Sequence, residues 1–123
     1  LKGIYKSKVA DQYVPYTRPQ ENGYKTDIRW FTLSNSNGKG LEINGLQSLC
    51  MSTLNNYPSD FDPGLSKKNQ HLSDITPRNE VVVCVDLAQR GLGGDNSWGL
   101  YPHEQYLLTQ NEYSYGFVIK PKE

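Results

Sequence analysis

The chain is 123 residues long, about 14.0 kDa, with 13 Lys and Arg against 13 Asp and Glu and a formal net charge of zero. That length provides one domain with one core. The charge balance argues against a nucleic-acid binder, which normally needs a basic face, although it leaves room for a local patch, and no apolar run approaches the ~20 residues of a membrane-spanning helix. Nine tyrosines, 11 glycines and 7 prolines, without long Ala-, Leu- and Glu-rich stretches, are a composition of strands and turns. The expected fold class is all-β, an antiparallel β-sandwich of about six strands, with room for one short helix around residues 62–72.

Residues 1–26 read as a polar lead-in in which Pro15 and Pro19 block any long helix. The core strands are expected within 27–123. Asp27 to Ser34 is the first, with Ile28 and Trp30 on one face and Phe31 and Leu33 nearer the other, so Trp30 is expected to be buried. Asn37-Gly38 is a hairpin signal. A second strand alternates Leu41 and Ile43 against Glu42 and Asn44, and a short third runs from Leu49 to Thr53. Between Pro58 and Pro77 the strand pattern stops. Asp62 with Pro63 at the first helical position marks the one place for a helical turn. Glu80 to Ala88 reads as a buried central strand, with Val81, Val83, Val85 and Leu87 on one face. Gln105 to Thr109 reads as a strand, and Tyr113 to Lys120 as the last one, alternating Tyr113, Tyr115, Phe117 and Ile119.

Cys50 and Cys84 both sit in apolar runs, where a small buried hydrophobe is the reading. Facing strands could bring them together, but two cysteines make no disulfide framework. The chain opens Leu1-Lys2-Gly3 with no initiator Met and no charged-then-apolar leader, and is expected to be processed or a piece of something longer.

Few residues suggest chemistry by spacing alone. His71 and His103 have no Cys or carboxylate near them at zinc-ligand spacing. Ser97, His103 and Asp95 could assemble a triad, but no nucleophile-elbow motif supports one. A glycosidase needs two carboxylates about 5 Å apart for retention or roughly 6.5–9.5 Å for inversion. Glu21, Glu42, Glu80 and Glu104 qualify only by type. The most unusual stretch is Gly91-Leu92-Gly93-Gly94-Asp95-Asn96-Ser97-Trp98-Gly99. It has neither a dinucleotide fingerprint nor a phosphate-binding Gly-Lys-Ser/Thr. A long turn explains its glycines but not an indole at its tip. From the residues alone Trp98 either contacts a ligand or packs.

The order of several segments is that of a known family. Gly3-Ile4-Tyr5, Asp11-Gln12-Tyr13, Tyr16, Pro19-Gln20-Glu21-Asn22-Gly23 and Asp27-Ile28-Arg29-Trp30 are followed by His71 to Ile75 and Val85-Asp86. The Gly91 to Gly99 loop, Pro102-His103-Glu104-Gln105-Tyr106 and the final strand complete the series. Over essentially its whole length the chain resembles the C-terminal β-sandwich, or small-chain region, of the large lactose-cleaving glycoside hydrolase family 2 β-galactosidases.

The resemblance implies the later part of a galactose-mutarotase-like sandwich, and a partial domain rather than a complete one. It implies that the catalytic glutamates and the magnesium and sodium ligands of the parent lie in a TIM-barrel and other domains, leaving no cofactor in this chain. It also implies a homo-oligomeric parent of cytoplasmic or periplasmic location. One residue carries over to substrate: Trp98, as a platform for the galactoside sugar in the barrel's pocket. Gly93, Gly94, Asp95, Asn96 and Ser97 would shape its loop. Glu21 has no catalytic counterpart, and Asn22-Gly23 is expected to hydrogen-bond a structural loop. Two other readings stay open: a free-standing carbohydrate-binding module, and a purely structural or oligomerisation domain.

Overall fold

The computed structural model describes residues 2–16, 22–62, 64–65, 71–91 and 99–123. Four strands form one sheet: β1 (Lys25–Ser34), β2 (Gly40–Leu54), β3 (Val82–Asp86) and β4 (Phe117–Lys122). The order is β1-β2-β3, and β4 also pairs with β2. The β2–β4 pairing is antiparallel, from Gly40 opposite Lys122 to Gly45 opposite Phe117. The only α-helix among the described residues is the single turn Pro58–Phe61, so the all-β expectation holds. The chain divides into two units, Leu1–Lys25 with Met51–Val85 and Thr26–Cys50 with Asp86–Glu123.

In the first unit the buried apolar side chains are Met51, Leu54 and Phe61. The Phe61 ring is stacked 6.2 Å from that of Tyr13, which ties the lead-in to the helical turn. Asn22 is buried and fully engaged. Its Oδ1 accepts from Val14 N–H at 2.8 Å, and its Nδ2 donates to Val14 O at 2.6 Å and Tyr16 O at 3.4 Å. Beside it Gly23 has φ +63°, and a Cβ there would meet the Gln12 carbonyl oxygen at 2.5 Å. The structural loop expected at Asn22-Gly23 is therefore present, with a steric reason for the glycine.

Three turns repeat one local device. The backbone N–H groups of Lys8, Tyr57 and His71 each donate to the carboxylate of the Asp three residues on, at 3.2, 2.8 and 2.8 Å. The N–H groups of Asp11, Asp60 and Asp74 donate back to the carbonyls of Lys8, Tyr57 and His71. Aspartate in the first turn satisfies donors that a short helix leaves orphaned. A helical turn lies at Pro58–Phe61, while the expected short helix around 62–72 falls largely outside the described residues, which lack 63 and 66–70. Pro58 supplies the first helical position, and Asp60 reaches back to close the turn. The carboxylate of Asp62 instead accepts from Gly64 N–H at 2.9 Å, where Gly64 has φ +76°.

In the second unit the Asn37-Gly38 turn forms as expected. Gly38 has φ +83°, and the Asn35 side chain accepts the N–H groups of Asn37 and Lys39. The second and third expected strands are one 15-residue strand, β2. Gly45, which falls between those two expected strands, sits inside it, where a Cβ would meet Gln47 O at 2.3 Å and Leu49 side-chain atoms at 2.9–3.0 Å. Ile43, Leu49 and Cys50 are the buried apolar residues here.

Several expectations require correction. Trp30 is 46% exposed, not buried, so one face of β1 is not covered at that point. Glu80 to Ala88 shortens to Val82–Asp86 and ends the β1-β2-β3 order rather than standing at its centre. Val81 and Val83 are exposed. Gln105 to Thr109 is not a strand: Tyr106 N–H donates to His103 O and Leu107 N–H to Glu104 O, a 3-10 turn over Glu104–Tyr106. The last strand starts at Phe117, not Tyr113. At Gly116 a side chain joins the backbone pairing: Gly116 O accepts from Leu46 N–H at 3.0 Å and from Gln47 Nε2 at 3.1 Å, and Gly116 N–H donates to Gln47 Oε1 at 3.3 Å. Tyr113 and Tyr115 alternate in sequence, but β4 pairing stops before them. Cys50 and Cys84 are both free thiols, the first buried and the second partly so.

Candidate functional site

Gly93, Gly94, Asp95, Asn96, Ser97 and Trp98 lie outside the described residues. Both stems of their loop are described. On the entering stem, Gly91 N–H donates to Tyr106 O at 2.8 Å. A Cβ at 91 would come within 2.6 Å of Tyr106 Cβ and 3.4 Å of Pro102 Cβ, and Pro102 is itself buried. Only glycine lets the backbone approach this closely. On the leaving stem Gly99 has φ +119° with nothing within 4 Å of its Cβ position, so there the conformation and not crowding requires glycine. The guanidinium of Arg90 stands 5.6 Å from the centroid of the Tyr101 ring, within cation–π range. The residues on either side of the loop are thus tied to each other, and the loop's root is tied to the 3-10 turn that follows it. Arg90 and Tyr106 were not singled out by sequence reasoning. Their signal was position alone, one flanking the glycine run and one in the Pro102 to Tyr106 motif.

A second polar locus belongs to the first unit. A groove of about 410 Å³ is lined by Ser59, Asp60, Asp74, Ile75, Thr76 and Arg78. Arg78 holds Asp60 through two hydrogen bonds, Nε to Oδ2 at 2.8 Å and Nη2 to Oδ1 at 2.6 Å. Its guanidinium also lies 4.8 Å from the centroid of the Tyr57 ring. The Arg78 hydrogen bonds, helped by the Tyr57 N–H, hold the Asp60 carboxyl below its ordinary range against a smaller opposing effect of burial. With Asp74 accepting from His71 N–H, both carboxylates of this groove are committed to local structure. Around them Arg78 N–H donates to Asn55 O and Asn56 Nδ2 to Thr76 O at 3.0 Å. The locus is a clasp that fixes 55–60 against 74–80.

The glutamates considered for catalysis are not gathered in one place by any contact. Glu42 accepts from Asn44 Nδ2 at 2.7 Å. Glu80 uses its main-chain oxygen to accept from Asn55 at 3.0 Å. Glu104 begins an exposed turn, and Glu21 lies outside the described residues. His71 and His103 precede short 3-10 turns. Among the described residues no group of three or more His, Cys, Asp or Glu side chains could hold a metal ion, and no helix is long and apolar enough to cross a membrane.

The sequence matches the family described as Beta galactosidase small chain over residues 1–119. The chain belongs to that family. The β-galactosidase of Priestia megaterium is 36% identical over 119 residues, which are 96% of this chain and 11% of that protein. Those of Lactobacillus delbrueckii subsp. bulgaricus and Streptococcus thermophilus are 34% and 31% identical, each over 97% of this chain and 11% of the relative. The chain thus spans about a tenth of the length of the curated relatives it matches.

Proposed function

We propose that residues 1–123 act as a non-catalytic, C-terminal module of a glycoside hydrolase family 2 β-galactosidase that cleaves lactose-type galactosides. In this reading the module presents Trp98 to the sugar pocket of a neighbouring catalytic domain. The observation that carries the reading is the pinned loop root: a backbone hydrogen bond to Tyr106, a position 91 where no side chain fits, and an Arg90–Tyr101 contact across the stems. An aromatic platform works only if its supporting backbone holds it in place. The indole would cover the apolar C–H face of a pyranose, contributing burial and dispersion rather than proton transfer.

Apolar residues left exposed in the second unit support the modular part of the reading. On the β2–β4 pairing, Leu41, Ile119 and Phe117 share one face and are 46%, 56% and 37% exposed, while Val118 on the other is 41% exposed. Apolar side chains on both faces of one strand are the pattern of a sheet that packs against further protein. The rest of the parent would provide that cover. The magnesium and sodium of such an enzyme would bind residues outside this chain, and no step of the proposed role runs through them.

The test is Trp98→Leu in the complete polypeptide. Losing the platform costs about 1–2 kcal/mol of sugar binding, so KM for lactose should rise roughly five- to thirty-fold with a smaller change in kcat and little change in Tm. A normal KM would reject the platform. A large fall in Tm with normal kinetics would place Trp98 in packing instead. Galactose titrated into residues 1–123 alone distinguishes the remaining alternative, since a free-standing binding module would bind it without the other domains.

A further inference from the structure

A cleft of about 260 Å³ in the second unit is lined by Asp86, Leu87, Ala88, Leu108, Tyr113 and Tyr115. It adjoins the root of the Trp98 loop along the chain. Ala88 is three residues before Gly91, and Leu108 is two residues after Tyr106, whose carbonyl receives the Gly91 N–H. We infer that this cleft is a second saccharide subsite that takes one neutral pyranose ring.

The volume lies just under the roughly 300 Å³ at which sites for drug-sized ligands begin, which suits a single ring rather than a chain segment. Tyr113 and Tyr115 are 45% and 44% exposed. The Tyr113 hydroxyl accepts the Gln110 N–H at 2.9 Å, which restrains its ring. The Tyr115 ring is braced by Phe117, with centroids 6.3 Å apart. Two restrained aromatic rings lining one cleft with Leu87, Ala88 and Leu108 match the mixed character of a sugar, whose C–H faces are apolar and whose rim is polar.

The described lining residues include one charge, Asp86, and no cation, so the cleft disfavours an anionic ligand. An ionised carboxylate has about four acceptor positions and can serve sugar hydroxyls alongside its own contacts. Tyr113 and Tyr115 precede β4, which starts at Phe117, and so lie outside the strand.

The inference rests on the β-galactosidase reading, and the experiment separates the two. Tyr113→Ala, Tyr115→Ala and their Phe counterparts are made in the complete polypeptide beside Trp98→Leu. Binding is measured by titration with lactose, methyl β-D-galactoside and glucose. Each Ala variant is expected to weaken lactose or glucose binding about three- to tenfold, with the Phe variants close to the parent. A loss for lactose with methyl β-D-galactoside unchanged assigns the cleft to the second ring of the substrate. A loss for free glucose assigns it to a separate sugar. Unchanged binding of all three sugars in folded Ala variants overturns the subsite. Unchanged binding together with loss of oligomeric assembly also overturns it, in favour of a protein contact. If Trp98→Leu alone weakens binding, the subsite fails and the platform stands. If the tyrosine variants alone weaken it, the platform fails and the subsite stands.

Discussion

Two apolar stretches of similar character meet opposite fates in this chain. The last six residues of β2, Leu49 to Leu54, are all buried, including Ser52 and Thr53. In β4, Phe117, Val118 and Ile119 are all exposed. Composition does not separate them, since Phe-Val-Ile is as apolar as Leu-Cys-Met. The difference lies in cover: the described residues bury the end of β2 on both faces and leave these three β4 side chains 37–56% exposed, although Ile43 opposite Ile119 is buried. A strand with apolar residues on both faces is suited to the middle of a layered structure. The contrast therefore marks where a small chain completes its own core and where it relies on neighbours.

The largest effect is expected where the cover is internal. Phe61 is 2% exposed and stacks on Tyr13, so Phe61→Ala should cost about 3–5 kcal/mol, a large share of the roughly 5–15 kcal/mol that stabilises a domain. Denaturant titration should show the loss equally in residues 1–123 alone and in the complete polypeptide. An intermediate effect tests the external cover. Ile119→Asp should cost less than about 1 kcal/mol in residues 1–123 alone, where the side chain is already solvated. In the complete polypeptide it should cost more than about 2 kcal/mol, because a carboxylate would be buried without a partner. Equal costs in the two settings would show that β4 is solvated in both, and the comparison with β2 would lose its meaning.

The smallest effect concerns the clasp of the first unit. The Asp60 carboxyl is held below its usual range by Arg78, so its contribution to stability is present above the unfolded pKa of about 3.9 and is lost as pH falls through the lower folded value. Asp60→Asn removes that contribution at neutral pH. The Tm difference from the parent chain should be constant above about pH 5 and should close in stronger acid. High salt should shrink it, as for any half-exposed pair. A difference that persists at low pH would assign the role of Asp60 to packing.

By itself the sequence determined what depends on neighbours along the chain. Strand β1 and the Asn37-Gly38 turn follow from alternation and from a residue type that tolerates positive φ. The all-β class follows from prolines and glycines that leave no room for helices. The Asn22-Gly23 loop was legible through the family resemblance, and of the Gly91–Gly99 stretch only the ends, Gly91 and Gly99, are described.

Only the tertiary structure decided what depends on distant partners. Continuity of β2 through Gly45 is a matter of what lies beside it, and β4 ends against partners far away in sequence, with Gln47 69 residues from Gly116. The same holds for the exposure of Trp30, Val81 and Val83. Alternation tells which residues share a face but not whether anything covers that face. Burial is a property of the surroundings, and a pattern of side chains along one strand carries no record of them.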